Sequence, residues 1–177
     1  MIETERLVLR PWTHDDADRL FDMMRRPEVA RWSASGVPMA SIEDAHARID
    51  NMPIRAGDRA ETAFFAAERK DNSVVTGMSI LLPLPPSQGV DRADIEIGWH
   101  LHPDSWHQGF ATEAATALVQ RAWDAGLPEV YAVTDPANAP SQAVCRRLGM
   151  RDLGLSTDWY DRELRAFRLA APGEPVG

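Results

Sequence analysis

The sequence predicts one α/β domain built on a single mixed sheet. Three observations carry that expectation. Stretches whose apolar residues alternate with period two are interleaved with stretches of helical period. Helix-start and helix-stop residues fall at their boundaries. No repeat, low-complexity block or linker divides the 177 residues, a length that suits one domain with a sizeable core. The domain is expected to span residues 1–170. The tail at 171–177, APGEPVG, is expected to be flexible, because proline, glycine and small residues cannot build a core.

Residues 6–11 read as a first strand with Leu7 and Leu9 on one face. Thr13 then caps a helix with acids in its first turn; Leu20, Phe21, Met23 and Met24 form its apolar stripe and Pro27 ends it. Ser41 caps a second helix, which Pro53 should close or kink. Strands follow at 62–69 and 74–82, joined by the turn residues Lys70, Asp71 and Asn72, and the proline-rich LPLPPSQGVDR is a loop. In the strand at 93–101, Ile95, Ile97, Trp99 and Leu101 face one way and Glu96, Gly98 and His100 the other. The pattern at 112–125 is helical, with Gly126 as its stop, and 130–134 is a strand. Ser141 is expected to cap a helix to residue 148, stopped by Gly149. Strands near 151–155 and 163–169 close the chain as a hairpin around Tyr160, Asp161 and Arg162.

Composition bounds the partners. With 19 basic and 27 acidic residues the formal charge is −8, which argues against general nucleic-acid binding and is compatible with a cationic substrate. No apolar run reaches the ~18 residues of a membrane helix, and the first residues lack the layout of a signal peptide. The single cysteine, Cys145, excludes an internal disulfide and fits a reducing cytoplasm.

Three elements could carry chemistry. HQGFATEAA, at 107–115, leads from a strand into a helix, whose first amides lack internal partners and sit at the positive end of the dipole. Gly109 would let a phosphate approach the backbone, and Ala111 would not obstruct it. Asn138 stands in the loop beyond the next strand, at the edge where ligands of α/β sheets gather. Glu96 lies on the polar face of an otherwise apolar strand upstream of that loop. Partial burial there would raise its pKa towards that of a general base.

In four ordered segments the chain resembles the GCN5-related N-acetyltransferases (GNAT), and within them the RimJ/RimL branch. The segments are ETERLVLRPW, ADIEIGWHLHPDSWHQGFATEA, NAPSQAVCRRLGM and the closing hairpin. The resemblance implies a mostly antiparallel, twisted sheet with flanking helices and a splayed central strand pair. It implies an enzyme that moves acetyl from acetyl-CoA to a primary amine, either a protein N-terminal α-amine or a small-molecule amine, without a metal. Gln108, Gly109, Phe110, Ala111 and Thr112 would present amides to the pyrophosphate, and the backbone of Ile97 and Trp99 would meet the pantetheine arm. Asn138 would bond that arm or a water, and Glu96 would be the base. Residues 106–113 read WHQGFATE, so His107 replaces a customary glycine; it fits if its φ stays negative or the turn shifts. Cys145 falls where the family often has a tyrosine acid. It is a weak donor better suited to the core, and Ser141 is the rival candidate donor.

His100, His102 and His107 lack the cysteine or carboxylate companions of a metal site. Trp32 and Tyr160 are the expected walls of the acceptor cleft. A catalytically silent acyl-CoA-binding or sensing domain on the same fold is the rival reading, and a monomer and a homodimer both stay open.

Overall fold

The computed structural model describes residues 1–173, so residues 174–177 of the expected flexible tail lie outside the described residues. In chain order the elements are β1 (Ile2–Glu3), β2 (Leu7–Pro11), α1 (Ala17–Met24), α2 (Pro27–Ala30), α3 (Ile42–Ala56), β3 (Ala63–Arg69), β4 (Val75–Pro83), β5 (Ile95–Leu101), α4 (Phe110–Asp124), β6 (Glu129–Thr134), α5 (Ala139–Arg147), β7 (Arg151–Ser156) and β8 (Leu164–Ala170). Short 3₁₀ turns precede α1 and α4. One eight-stranded sheet runs in the order β1-β2-β3-β4-β5-β6-β8-β7.

Neighbouring strands are antiparallel except β5 and β6, which run parallel and pair at one position, Glu96 with Tyr131. The expected mixed, mostly antiparallel sheet with a splayed central pair is therefore present. Glu96 and Tyr131 are the only positions at which β5 and β6 pair among the described residues, and Glu96 is one of the candidate site residues.

Period-two alternation sorts the strand side chains into two cores. On one face Leu7, Leu9, Phe65, Leu81, Ile95 and Ile97 pack against Phe110, Ala114, Leu118 and Ala122 of α4. On the other, Phe64, Ala66, Met78 and Leu82 meet Leu20 and Met23 of α1 and Ala45, Ile49 and Met52 of α3. Each fully buried Leu, Ile or Met contributes roughly 1.5–3 kcal/mol. Glu96 pairs across the ladder with Leu82, Gly98 with Ile80 and His100 with Met78, so these three open onto the α1–α3 side.

Several boundaries differ from the sequence expectations. Pro53 neither closes nor interrupts α3, which runs to Ala56 and stops at Gly57 with φ 74°. Standing within the last turn, Pro53 costs only one helical hydrogen bond. The start of α3 is a capping box: the Ser41 hydroxyl accepts from the Asp44 amide at 3.2 Å, and Asp44 accepts from the Ser41 amide at 3.0 Å. Helix α4 begins at Phe110, two residues before the expected 112. The cap of α5 is Asn138 rather than Ser141; its Oδ1 accepts from the Ser141 amide at 3.2 Å. Among the described residues no helix is long and apolar enough to cross a membrane.

Candidate active site

The loop before α4 is tethered at both ends. The Trp106 indole N–H donates to the carbonyl of Leu101 at 2.9 Å, fixing the loop to the end of β5. At the helix, Glu113 accepts from the Thr4 hydroxyl at 2.5 Å and from the Arg6 amide and Nε at 2.7 Å each, binding the first turn to the start of β2. Arg6 Nη1 also donates to the Gln108 carbonyl at 2.9 Å. Carbonyl and N–H of one peptide point in opposite directions, so the Gly109 N–H is turned away from Arg6. Gly109 is the N-cap, at φ 83°, and the amides that open α4 have no intrahelical partner. His107 adopts φ 61°, so it takes the left-handed turn of the glycine it replaces instead of keeping φ negative.

Glu96 is buried, and the Tyr160 hydroxyl donates to its Oε1 at 2.5 Å. Loss of hydration pushes the carboxyl up to about 7, against the opposing pull of the Tyr160 hydrogen bond and the nearby positive charge of Arg55. Burial and the neighbouring carboxylate raise the Tyr160 phenol above its ordinary value, so it remains a donor.

Tyr160 is aimed by its backbone. Tyr160 and Asp161 stand at φ 60° and 51°, and the Arg162 amide donates back to the Trp159 carbonyl at 3.4 Å, a turn of the I′ kind. The turn is stitched to the 84–94 loop. The Tyr160 amide donates to the Pro85 carbonyl at 3.2 Å, the Asp161 amide to Ser87 Oγ at 2.9 Å, and the Trp159 indole to Asp94 at 2.9 Å. Sequence reasoning placed Tyr160 at the cleft but missed this contact, which joins residues 64 positions apart.

The other expected site residues are dispersed. Ile97 is fully buried and Trp99 partly buried on the α4 side of β5, just past the last β5–β6 pair. Ser141 is half-buried in the first turn of α5. Cys145 has no exposed surface and lies in the α4 core, where burial pushes its thiol up to about 12. Trp32 sits between α2 and α3 with the Arg31 guanidinium 4.4 Å from its ring. His102 is structural, its Nε2 at 2.9 Å from Asp22 of α1 and its Nδ1 accepting from the Asp104 amide at 3.2 Å. Among the described residues no group of three His, Cys, Asp or Glu side chains is arranged to hold a metal ion.

The family model described as acetyltransferase (GNAT) domain matches residues 6–151. The uncharacterized N-acetyltransferase YoaA of Bacillus subtilis is 30% identical over 156 residues, covering 88% of this chain and 85% of its own. A solved GNAT-family acetyltransferase from Bacillus anthracis superposes with a TM-score of 0.77 at 20% identity, over 96% of this chain and 97% of its own. RimJ of Mycobacterium smegmatis, solved with CoA-disulfide, gives 0.73 at 18% identity over 97% and 88%. At these identities the two structures speak for the fold.

Proposed function

The chain belongs to the acetyltransferase (GNAT) family, whose members use acetyl-CoA, and from that premise we propose that it acetylates a primary amine with Glu96 as general base. One observation carries the reading: the single buried carboxylate of β5 stands where β5 leaves β6, hydrogen-bonded to Tyr160. We place the enzyme in the RimJ/RimL-like branch, and its acceptor is either a protein N-terminal α-amine or a small-molecule amine.

The chemistry needs a base. An amine of pKa near ~10 is almost wholly protonated at pH 7 and has no lone pair to offer. A carboxyl held at about 7 is half ionised there and matched to the task. Tyr160 holds Oε1, so Oε2 is the oxygen that takes the ammonium proton, directly or through a water. The freed nitrogen attacks the thioester carbon; the C–N bond forms, the C–S bond breaks, and CoA leaves as thiolate. The nitrogen's second proton neutralises that thiolate, and Glu96 returns the first to solvent. This balance makes a dedicated acid dispensable, in keeping with a Cys145 thiol sealed in the core.

The acetyl-CoA diphosphate fits the α4 cradle, where the Gly109, Phe110, Ala111 and Thr112 amides lie at the positive end of a 15-residue helix. Ile97 and Trp99 flank the opening for the pantetheine arm, and Asn138, its Oδ1 engaged, offers Nδ2. Steady-state release of free CoA tests the base. Glu96→Gln should keep CoA affinity and lower turnover by roughly 10²-fold or more. Turnover at the parental rate across pH would remove Glu96 from the mechanism.

A further inference from the structure

Two arginines of α3 stand over the same face of the sheet as Glu96. Arg48 and Arg55 are seven residues apart, two helical turns, which puts both on one side of the helix about 10.5 Å apart along its axis. That side borders the buried stripe of Ala45 and Met52; Arg48 is half-buried beside it, and Arg55 is exposed at its end. The Arg55 guanidinium lies 5.2 Å from the centroid of Phe64, whose ladder neighbours are Ile80 and then Gly98, the residue between Glu96 and His100. The fields of both reach the β5 side chains: Arg55 acts on Glu96 and Tyr160, and Arg48 acts on His100.

Neither arginine forms an ion pair with a carboxylate among the described residues. Arg48 Nε is buried without a hydrogen-bond partner. Burial, then repulsion from Arg55, brings its basicity down to about 10, and burial keeps His100 neutral. Arg55 is exposed and its charge is hydrated, but the Arg48 Nε lies away from water, and a buried guanidinium is normally paired because an unpaired charge there is costly. Two like charges on one side of a helix, one of them with an orphaned buried donor, are the arrangement of a receptor whose anion arrives with the ligand.

We propose that Arg48 and Arg55 bind an anionic group of the acceptor, so that the substrate is a primary amine whose own molecule carries a carboxylate or a phosphate. The guanidinium pair anchors the anion over Gly98 and His100 and leaves the amine at Glu96. This deepens the acetyltransferase reading, which it takes as its premise. It also adds to the expectation from net charge: the molecule carries −8 overall, yet the charges of Arg48 and Arg55 act on the β5 side chains His100 and Glu96.

A binding measurement tests it without turnover. N-acetyl-β-alanine, N-acetylphosphoethanolamine and neutral N-acetylethanolamine are titrated into the CoA-saturated protein, and the melting temperature is followed. The carboxylate or the phosphate should protect at concentrations at least tenfold below the neutral amide, and the stronger of the two names the anion. Arg48→Gln and Arg55→Gln should abolish the difference, Arg48→Lys and Arg55→Lys should restore part of it, and Glu96→Gln should retain it. If a Gln variant loses the fold, Arg48→Met or Arg55→Met, which keeps an apolar stem without the charge, carries the comparison. Equal protection by all three amides, or a difference that survives both Gln substitutions, overturns the proposal whatever Glu96→Gln does to turnover. Parental turnover in Glu96→Gln would instead overturn the base and leave the anion receptor standing.

Discussion

At the scale of single residues, burial and the opposing Tyr160 hydrogen bond together set the ionisation of Glu96, the proposed base. The phenol donates to Glu96 Oε1 at 2.5 Å and so favours the charged carboxylate, while burial favours the neutral acid and wins, at about 7. The base works only when deprotonated, so kcat/KM should rise with pH through a limb near that value. Tyr160→Phe removes the favourable bond, leaves burial in place and must raise the pKa. A hydrogen bond to a charged group is worth roughly 1.5–3 kcal/mol, so the limb should move up by about one to two pH units with the alkaline plateau changed little. Initial rates from pH 5.5 to 9.5 read this directly. A uniform loss of rate with an unmoved limb would make Tyr160 a packing residue only.

At the scale of elements, the α4 start is built by turns rather than by an unbroken run of glycines. Gly109 at φ 83° orients its amide while Arg6 holds the preceding carbonyl. Gly109→Ala would force a side chain into the left-handed region, costing roughly 1–2 kcal/mol, and its Cβ would stand 3.4 Å from Arg6 Nη2. The loop should relax by rotating that peptide, weakening CoA binding at least tenfold in a direct titration; parental affinity would mean that the cradle is made elsewhere. His107 marks the limit of what the sequence makes legible here. The loop, its helix and the polar parity of Glu96 follow from alternation and helix-start residues, which are local. The φ of 61° at His107 does not, because a non-glycine residue is read as φ-negative until tertiary tethers override it. The cap of α5 is illegible for a related reason: Asn138 and Ser141 are both good caps, and only the backbone shows which one stands at the boundary. Tyr160 reaches Glu96 from a distant turn and the charge of Arg55 acts on it from α3, and no periodicity within one element announces either.

At the scale of the whole molecule, the site leaves a mark on stability that follows from the sign of its pKa shifts. An ordinary glutamate titrates at 4.5, whereas folded Glu96 titrates at about 7. Between those values the folded state keeps a proton that the unfolded chain has released, so rising pH draws the equilibrium toward unfolding until about pH 7, and the curve is flat above. The interval corresponds to about 3 kcal/mol. His100 works the other way: kept neutral by burial down to about 4 instead of 6.5, it withdraws stability as pH falls through that interval. The two slopes overlap and oppose, so the parent should show little net dependence from these groups between pH 4.5 and 6.5. Glu96→Gln removes one of them. Measured by urea unfolding, the variant should match the parent near pH 4.5 and exceed it by about 2–3 kcal/mol at pH 8.5, while losing turnover. The buried base would then be a case of function held at the expense of fold stability. Parallel stability curves for the two proteins from pH 4.5 to 8.5 would show that Glu96 ionises at its ordinary value, and with that the mechanism would lose its tuned base.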